Sequence, residues 1–323
     1  MIGAEWIYWL CGFFFFVVGV QIAFDREHPK RWATSAFWCL FGAALCAGSF
    51  ITGPGAASAL LGAVVIVMAL IAGIGLTGRG IVQTTTAAER EASAARLRNL
   101  LFVPALTIPA VTVIVALGGG RLVIGGRPLL VPGSQTLVGL GVATVAALAV
   151  GWIVLRPKTP GVAFVEGRRL LESVGWAALL PQMLSTLGLL FTQAGVGTQV
   201  GAIVQHVVPE HSRILAVLAY ALGMVVFTMI MGNAFAAFPI MTAAVGWPIL
   251  VQQMGAHPAP MFAIGMLAGF CGTLCTPMAA NFNLVPPALL EMRDRYGQIK
   301  TQVPTAIALL AVNVCFMLIF PFL

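Results

Sequence analysis

Apolar residues run along this chain in long continuous blocks rather than in alternation. Residues 6–24, 34–52, 57–78, 100–118 and 135–155 each form an uncharged block close to 20 residues long. That is the length of helix a bilayer core requires. Each block therefore predicts one membrane-spanning helix, and a sixth covers 303–323. Polar punctuation separates them. "DREHPKR" (25–31) divides the first two, and "GPG" (53–55) makes a tight turn before the third. Residues 79–99 are the one long polar segment, and their Ala, Glu and Arg content predicts a surface helix. A Gly-rich, turn-rich stretch fills 118–134. "RPKTP" (156–160) then leads to an interfacial helix over 166–175.

The second half carries a different pattern. Residues 176–208 form an apolar run of 33 residues, too long for one span, with the polar, Gly-rich "TQAGVGTQ" (192–199) in its middle. Such a run is either a helical hairpin dipping into the membrane or one interrupted helix. The runs 214–251 and 260–290 repeat the situation. "GNAFAAFP" (232–239) breaks the first and "CTPMAANFN" (275–283) the second. The chain thus divides into an N-terminal five-span region, 1–160, and a second region, 161–323, which holds the 176–208 run and two broken helices.

Composition narrows the class. Of 323 residues 60% are hydrophobic and only 8% charged, against roughly a quarter charged in a soluble domain. Soluble enzymes, nucleic-acid-binding domains and disordered chains are excluded, and continuous blocks argue against a β-barrel. What remains is an all-α polytopic membrane protein with a lipid bilayer as its surroundings. The net charge of +7 reads as basic cytoplasmic loops. With the N-terminus outside, 176–208 returning to its own side, and each later broken run crossing once, 15 of the 17 Lys and Arg residues are cytoplasmic; only Arg121 and Arg127 are not. This count favours the hairpin. It gives about eight spans plus one re-entrant hairpin, with both termini outside. Residues 6–24 lack a basic leader and a cleavage site, so they read as an uncleaved first span. Trp6, Tyr8 and Trp9 suit its interfacial edge.

Unwound backbone at membrane depth is tolerated where it lines a cavity, and broken helices are how secondary transporters build sites. The hairpin would supply Ser185, Thr186, Thr192, Gln193, Thr198 and Gln199 around Gly195 and Gly197. The broken helices would supply Asn233, Thr273, Thr276, Asn281 and Asn283. These are neutral donors and acceptors, suited to a small polar solute or to Na⁺. A single Ser or Thr in a span more often bonds its own backbone, Gly197 and Gly201 suit close helix packing, and Asn233 after Gly232 suits a helix cap. Asn281 and Asn283 are the leading candidates, with Na⁺ near them. The hairpin and both broken helices contain no acid, which favours Na⁺ over proton coupling. The six cysteines all lie in apolar segments and read as small buried hydrophobes. No nucleotide-binding loop, metal-ligand cluster or nucleophile motif is present, so neither an enzyme nor a bound cofactor is expected.

Three stretches carry a family resemblance: "FFFFVVGVQIAFDREHPKRWATSAFWCLFG" (13–42), "RLRNLLFVPALTIPAVT" (96–112) and "GNAFAAFPIMTAAVG" (232–246). They resemble the larger subunit of the bacterial two-component 5-oxoproline (pyroglutamate) transporters, a family formerly of unknown function. The resemblance implies a smaller membrane subunit as partner, a 5-oxoproline substrate and a bacterial inner membrane. The two breaks are also similar to those of the ion-transporter superfamily of organic-anion carriers, whose two inverted repeats each hold a hairpin and a broken helix. Only one hairpin is apparent here, so a partner or a homodimer would complete that fold. The expected function is secondary transport of a small organic anion. The alternative is a non-transporting scaffold or regulatory subunit, docking through 79–99.

Overall fold

The computed structural model describes residues 2–51, 53–80, 85–121, 123–124, 127–157, 159, 161–207, 209 and 212–323. It is all-α apart from a pair of two-residue strands, Val123–Ile124 and Arg127–Pro128, in the Gly-rich stretch. Among the described residues, eight helical stretches are long and apolar enough to cross a membrane. The protein is therefore a polytopic membrane protein. The chain forms two compact units, Met1–Glu172 and Ser173–Leu323.

The first unit is built on two helix pairs. Helices α1 (Glu5–Phe24) and α2 (Arg31–Gly48) run antiparallel, because small residues let their backbones meet. A Cβ on Gly12 would lie 2.8 Å from the Gly42 carbonyl oxygen, and one on Gly19 would lie 3.2 Å from that of Ser35. Phe15, Phe37, Trp38 and Phe41 cluster beside this seam, with Trp38 stacked on Phe41 and edge-on to Phe37. Helix α3 (Ala56–Gly73) buries only Met68. Helix α4 (Ala87–Leu97) is the expected surface helix, started by a capping box between Thr86 and Glu89. Helix α5 (Phe102–Gly118) packs along α6 (Gln135–Leu155), where Gly139 approaches Thr112 and Val115. Helix α7 (Val162–Val174) covers the expected interfacial segment.

Hydrogen bonds show which loops share an end of this unit. Trp9 Nε1 donates to Ser49 Oγ at 2.8 Å, and the Ile2 N–H donates to the Leu129 carbonyl at 2.8 Å. At the opposite end, Arg168 of α7 donates to Asp25 and, at 2.7 Å, to Glu172. Glu172 also accepts from the Gly80 N–H at 2.7 Å, and His28 Nε2 stands 3.9 Å away from it. Glu172 and His28 are buried, so the loop after α3 and helix α7 are pinned to the α1–α2 turn by charge inside the fold. Arg168 beside Asp25 holds the Asp25 carboxyl below the usual carboxylate range. A depressed folded pKa stabilises above the unfolded value of about 3.9 and stops doing so as pH falls through the folded value. Melting of the full chain against pH should thus show an acid limb below about pH 4 that is smaller in Asp25→Asn.

In the second unit the helical runs connect differently from the sequence expectation. Helices α8 (Leu180–Gln193) and α9 (Val196–Val207) are separated by Gly195 in the left-handed conformation. Helix α10 (Arg213–Met231) is followed by α11 (Ala234–Met241), which widens into a π-helix over Thr242–Gln253. Leu184 touches Gly232, Gly188 touches Ala236, Gly197 touches Ile240 and Gly201 touches Ala244. The order is the same on both sides, so α8–α9 advances alongside α11 and its π-helix. Residues 176–208 are therefore an interrupted helix and not a re-entrant hairpin. The true reversal is in 214–251. Gly223 meets Met241, and Tyr220 meets Gly246, so α10 and α11 are antiparallel neighbours. That run is two spans turning at Gly232–Asn233, where one broken span was expected. The turn needs Gly232 at φ +68° and an extended Asn233 whose Oδ1 caps α11.

Helix α12 (Pro258–Leu274) lies parallel to α10, with Gly265 on Tyr220, Gly269 on Met224 and Gly272 on Val225. Beyond it come α13 (Ala280–Asn283), α14 (Val285–Leu289) and α15 (Gly297–Ile319). Helix α15 returns antiparallel to α12, with Asn313 against Cys271 and Pro321 against His257. The Gly232 turn and the 275–283 break meet at one end of the unit. Arg213, at the other end of α10, is a 19-residue helix away, about 28 Å. These two breaks lie at an end of the helices, and only the α8–α9 break lies within their length.

Candidate functional site

Two backbone reversals are held against each other here. A Cβ on Gly232 would lie 2.3 Å from the Met278 carbonyl oxygen. No side chain fits between the two strands of chain. Thr276 Oγ1 donates to the Met229 carbonyl at 2.9 Å and accepts from the Met278 N–H at 3.2 Å. Thr276 therefore ties the end of α10 to the break after α12. Asn283 is fully buried, and its Nδ2 donates to the carbonyls of Thr273 and Thr276, both at 2.7 Å. The Thr273 carbonyl lies in the last turn of α12 and the Thr276 carbonyl two residues past its end, where the helix supplies no partner. Asn283 thus replaces the missing turn.

The opposed reversals leave a cleft of about 220 Å³. Its polar lining is Asn233, Thr273 and Asn281. Its apolar walls include Leu184, Phe235, Phe270, Met278 and Phe282, and none of its described lining residues is charged. A second groove continues from Asn233 and Phe235 along α8, past Gly188 and Thr192, to Pro239. In volume the cleft falls below the roughly 300–1,000 Å³ typical of drug-sized ligands. It suits a small solute with an apolar face and a few hydrogen-bonding groups.

The sequence candidates separate into three groups. Asn233 and Asn281 line the cleft, and Thr192 lines the adjoining groove. Thr276 and Asn283 sit behind the cleft as backbone partners. The other hairpin candidates are not brought there. Thr186 is exposed and donates to the Gln182 carbonyl of its own helix. Gln193, Thr198 and Gln199 are exposed, Gly195 forms the helix interruption, and Gly197 packs on the Ile240 carbonyl. The side chain of Ser185 lies outside the described residues. The reason is the parallel course of α8–α9: one face of it meets α11, and the polar residues lie on the others. Asn233 is both cleft lining and helix cap, with Oδ1 accepting from the Phe235 N–H at 2.8 Å.

Sequence reasoning missed Thr228. It is fully buried in the last turn of α10, and its hydroxyl has no partner among the described residues. A lone Thr in an apolar run gives no signal before the neighbouring helix is known. The cysteines are all free, and no group of three metal-ligating side chains occurs among the described residues.

Fold and cleft together define an all-α, multi-pass membrane protein with a neutral, amide-bearing cavity at paired helix reversals. The chain belongs to the family described as "Protein of unknown function (DUF979)", whose model matches residues 5–322. No curated protein and no solved structure matches it.

Proposed function

We propose that this protein is the membrane subunit of a secondary carrier for a small organic anion. The substrate proposed is 5-oxoproline, and the carrier is taken to work with a smaller membrane subunit in a bacterial inner membrane. The observation that carries the reading is the cleft where the Gly232 turn meets the 275–283 break, lined by Asn233, Thr273 and Asn281 without a charged side chain among its described lining residues. A lactam offers one N–H and one carbonyl, which a pair of primary amides can satisfy at once. Its apolar ring edge suits Phe235, Phe270 and Phe282.

The corrected connections preserve the charge argument. Counting α2 and α12 with the eight long apolar stretches gives five passes in each unit, which keeps both termini on the outer side. The loops holding Arg293, Arg295 and Lys300 stay on the inner side, and only Arg213 joins Arg121 and Arg127 outside. That leaves 14 of the 17 basic residues inside. The cleft then opens at the inner end of α10.

Labelled 5-oxoproline uptake into proteoliposomes tests the reading, using this chain alone and with its smaller subunit. Asn281→Ala should raise KM about tenfold, the size of one lost hydrogen bond at a desolvated site. Uptake indifferent to Asn281→Ala, with folding retained, would point to the scaffold reading instead.

A further inference from the structure

Among the described residues, three other than glycine have a positive φ: Arg98 at +46°, Arg156 at +48° and Glu291 at +52°. An L side chain disfavours that conformation. Where a helix exits through it, glycine or asparagine is the usual residue. Here arginine stands at two such exits. Arg98 follows α4 and opens the 3₁₀ turn Arg98–Leu101 that leads into α5, and Arg156 follows α6. Each marks the corner where a spanning helix meets the chain of a surface helix.

The two corners share one end of the α5–α6 pair. A Cβ on Gly151 would lie 3.8 Å from Pro104, and one on Gly139 would lie 3.1 Å from the Thr112 carbonyl oxygen, so the helices run antiparallel. Arg98 is six residues before Pro104, and Arg156 is five after Gly151. At a rise of at most about 2 Å per residue, both lie within about 12 Å of that contact along the axis. Both arginines are exposed, and neither side chain has an ion-pair or hydrogen-bond partner among the described residues. Below them the surface is apolar. Helix α5 buries no residue, and Phe102, Leu106, Trp152 and Leu155 are exposed around this end.

A ligand for this surface must carry negative charge at its head and hydrocarbon beneath. A soluble acidic segment lacks that combination and a phospholipid has it. The guanidinium fork matches phosphate oxygens, and Trp152 suits headgroup depth. Strain kept at two arginines points to a use for their side chains. We infer that Arg98 and Arg156 bind the headgroups of anionic phospholipids, whose acyl chains lie on the exposed flank of α5. The inference does not rest on the carrier reading.

Thermal melting of the purified full chain in a neutral detergent tests it, with added dioleoyl phosphatidylglycerol or dioleoyl phosphatidylcholine. Phosphatidylglycerol should raise the melting temperature over phosphatidylcholine by about 3 °C when it is a hundredfold above its Kd. Arg98→Gln and Arg156→Gln together should abolish most of that difference. Arg156→Gly suits a positive φ. It should melt at least as high as the unmodified protein in phosphatidylcholine and still lose part of the difference. Arg90→Gln removes the same charge from the exposed surface of α4 and should keep the difference. Glycerol 3-phosphate, a head without chains, should give no shift. Equal melting of the unmodified protein in the two lipids overturns the proposal. So does a full difference in the double variant or in Arg156→Gly, an equal loss in Arg90→Gln, or a shift produced by glycerol 3-phosphate alone.

Discussion

Gly232→Ala is expected to lower stability by about 3 kcal/mol and to abolish uptake. Two costs add. Gly232 has φ +68°, a conformation that costs an L side chain roughly 1–2 kcal/mol. The new Cβ would also stand 2.3 Å from a backbone oxygen, that of Met278, which cannot swing aside as a side chain could. The two reversals must then separate, and the cleft loses its shape. Gly195→Ala supplies the comparison, because Gly195 has φ +71° with nothing within 4 Å of its Cβ position. It should show the backbone cost alone, about 1–2 kcal/mol. Thermal melting of both variants separates the contributions. Equal losses at the two positions would mean that the Met278 contact does not constrain the protein.

Glu172→Ala should be comparably damaging in the first unit, by about 3–5 kcal/mol, the usual result of removing one partner of a buried ion pair. Glu172 has a side-chain exposure of 2% and accepts from both Arg168 and the Gly80 N–H. Its removal leaves a largely buried guanidinium with Asp25 alone and an N–H without an acceptor. Glu172→Gln keeps the volume and an acceptor for Gly80, so it should recover part of the loss. Hydrogen exchange should rise at Gly80 and Gly78, which are held at this end of the unit. Wild-type-like melting of Glu172→Ala would show the cluster to be only a surface feature.

The class of this protein was legible in the sequence because span length is a one-dimensional property. Blocks such as 6–24 and 135–155 became α1 and α6 within one or two residues. Connection was less legible, because apolar length does not say where a helix reverses. Residues 214–251 total less than two full spans on a simple count, yet Gly232 and Asn233 turn the chain in two residues. Residues 176–208 carry more Gly and Gln, yet Gly195 only interrupts the helix. The difference lies in what each glycine meets. Gly232 is locked against Met278, whereas Gly195 meets nothing. Asn281 and Asn283 stood out because a buried primary amide is costly. Their separate roles depend on which face of a four-residue helix each occupies, which no spacing rule supplies.

The seam between the interrupted helix α8–α9 and the π-helix is made of glycine hydrogens resting on carbonyl oxygens, at Gly197 on Ile240 and Gly201 on Ala244. Most helix pairs interlock ridges with grooves, so that moving one past the other forces side chains over each other. Bare backbone has no such teeth. Along this line the helix pair is built like a sliding bearing, with its smooth track ending beside the groove that runs from Pro239 to the cleft.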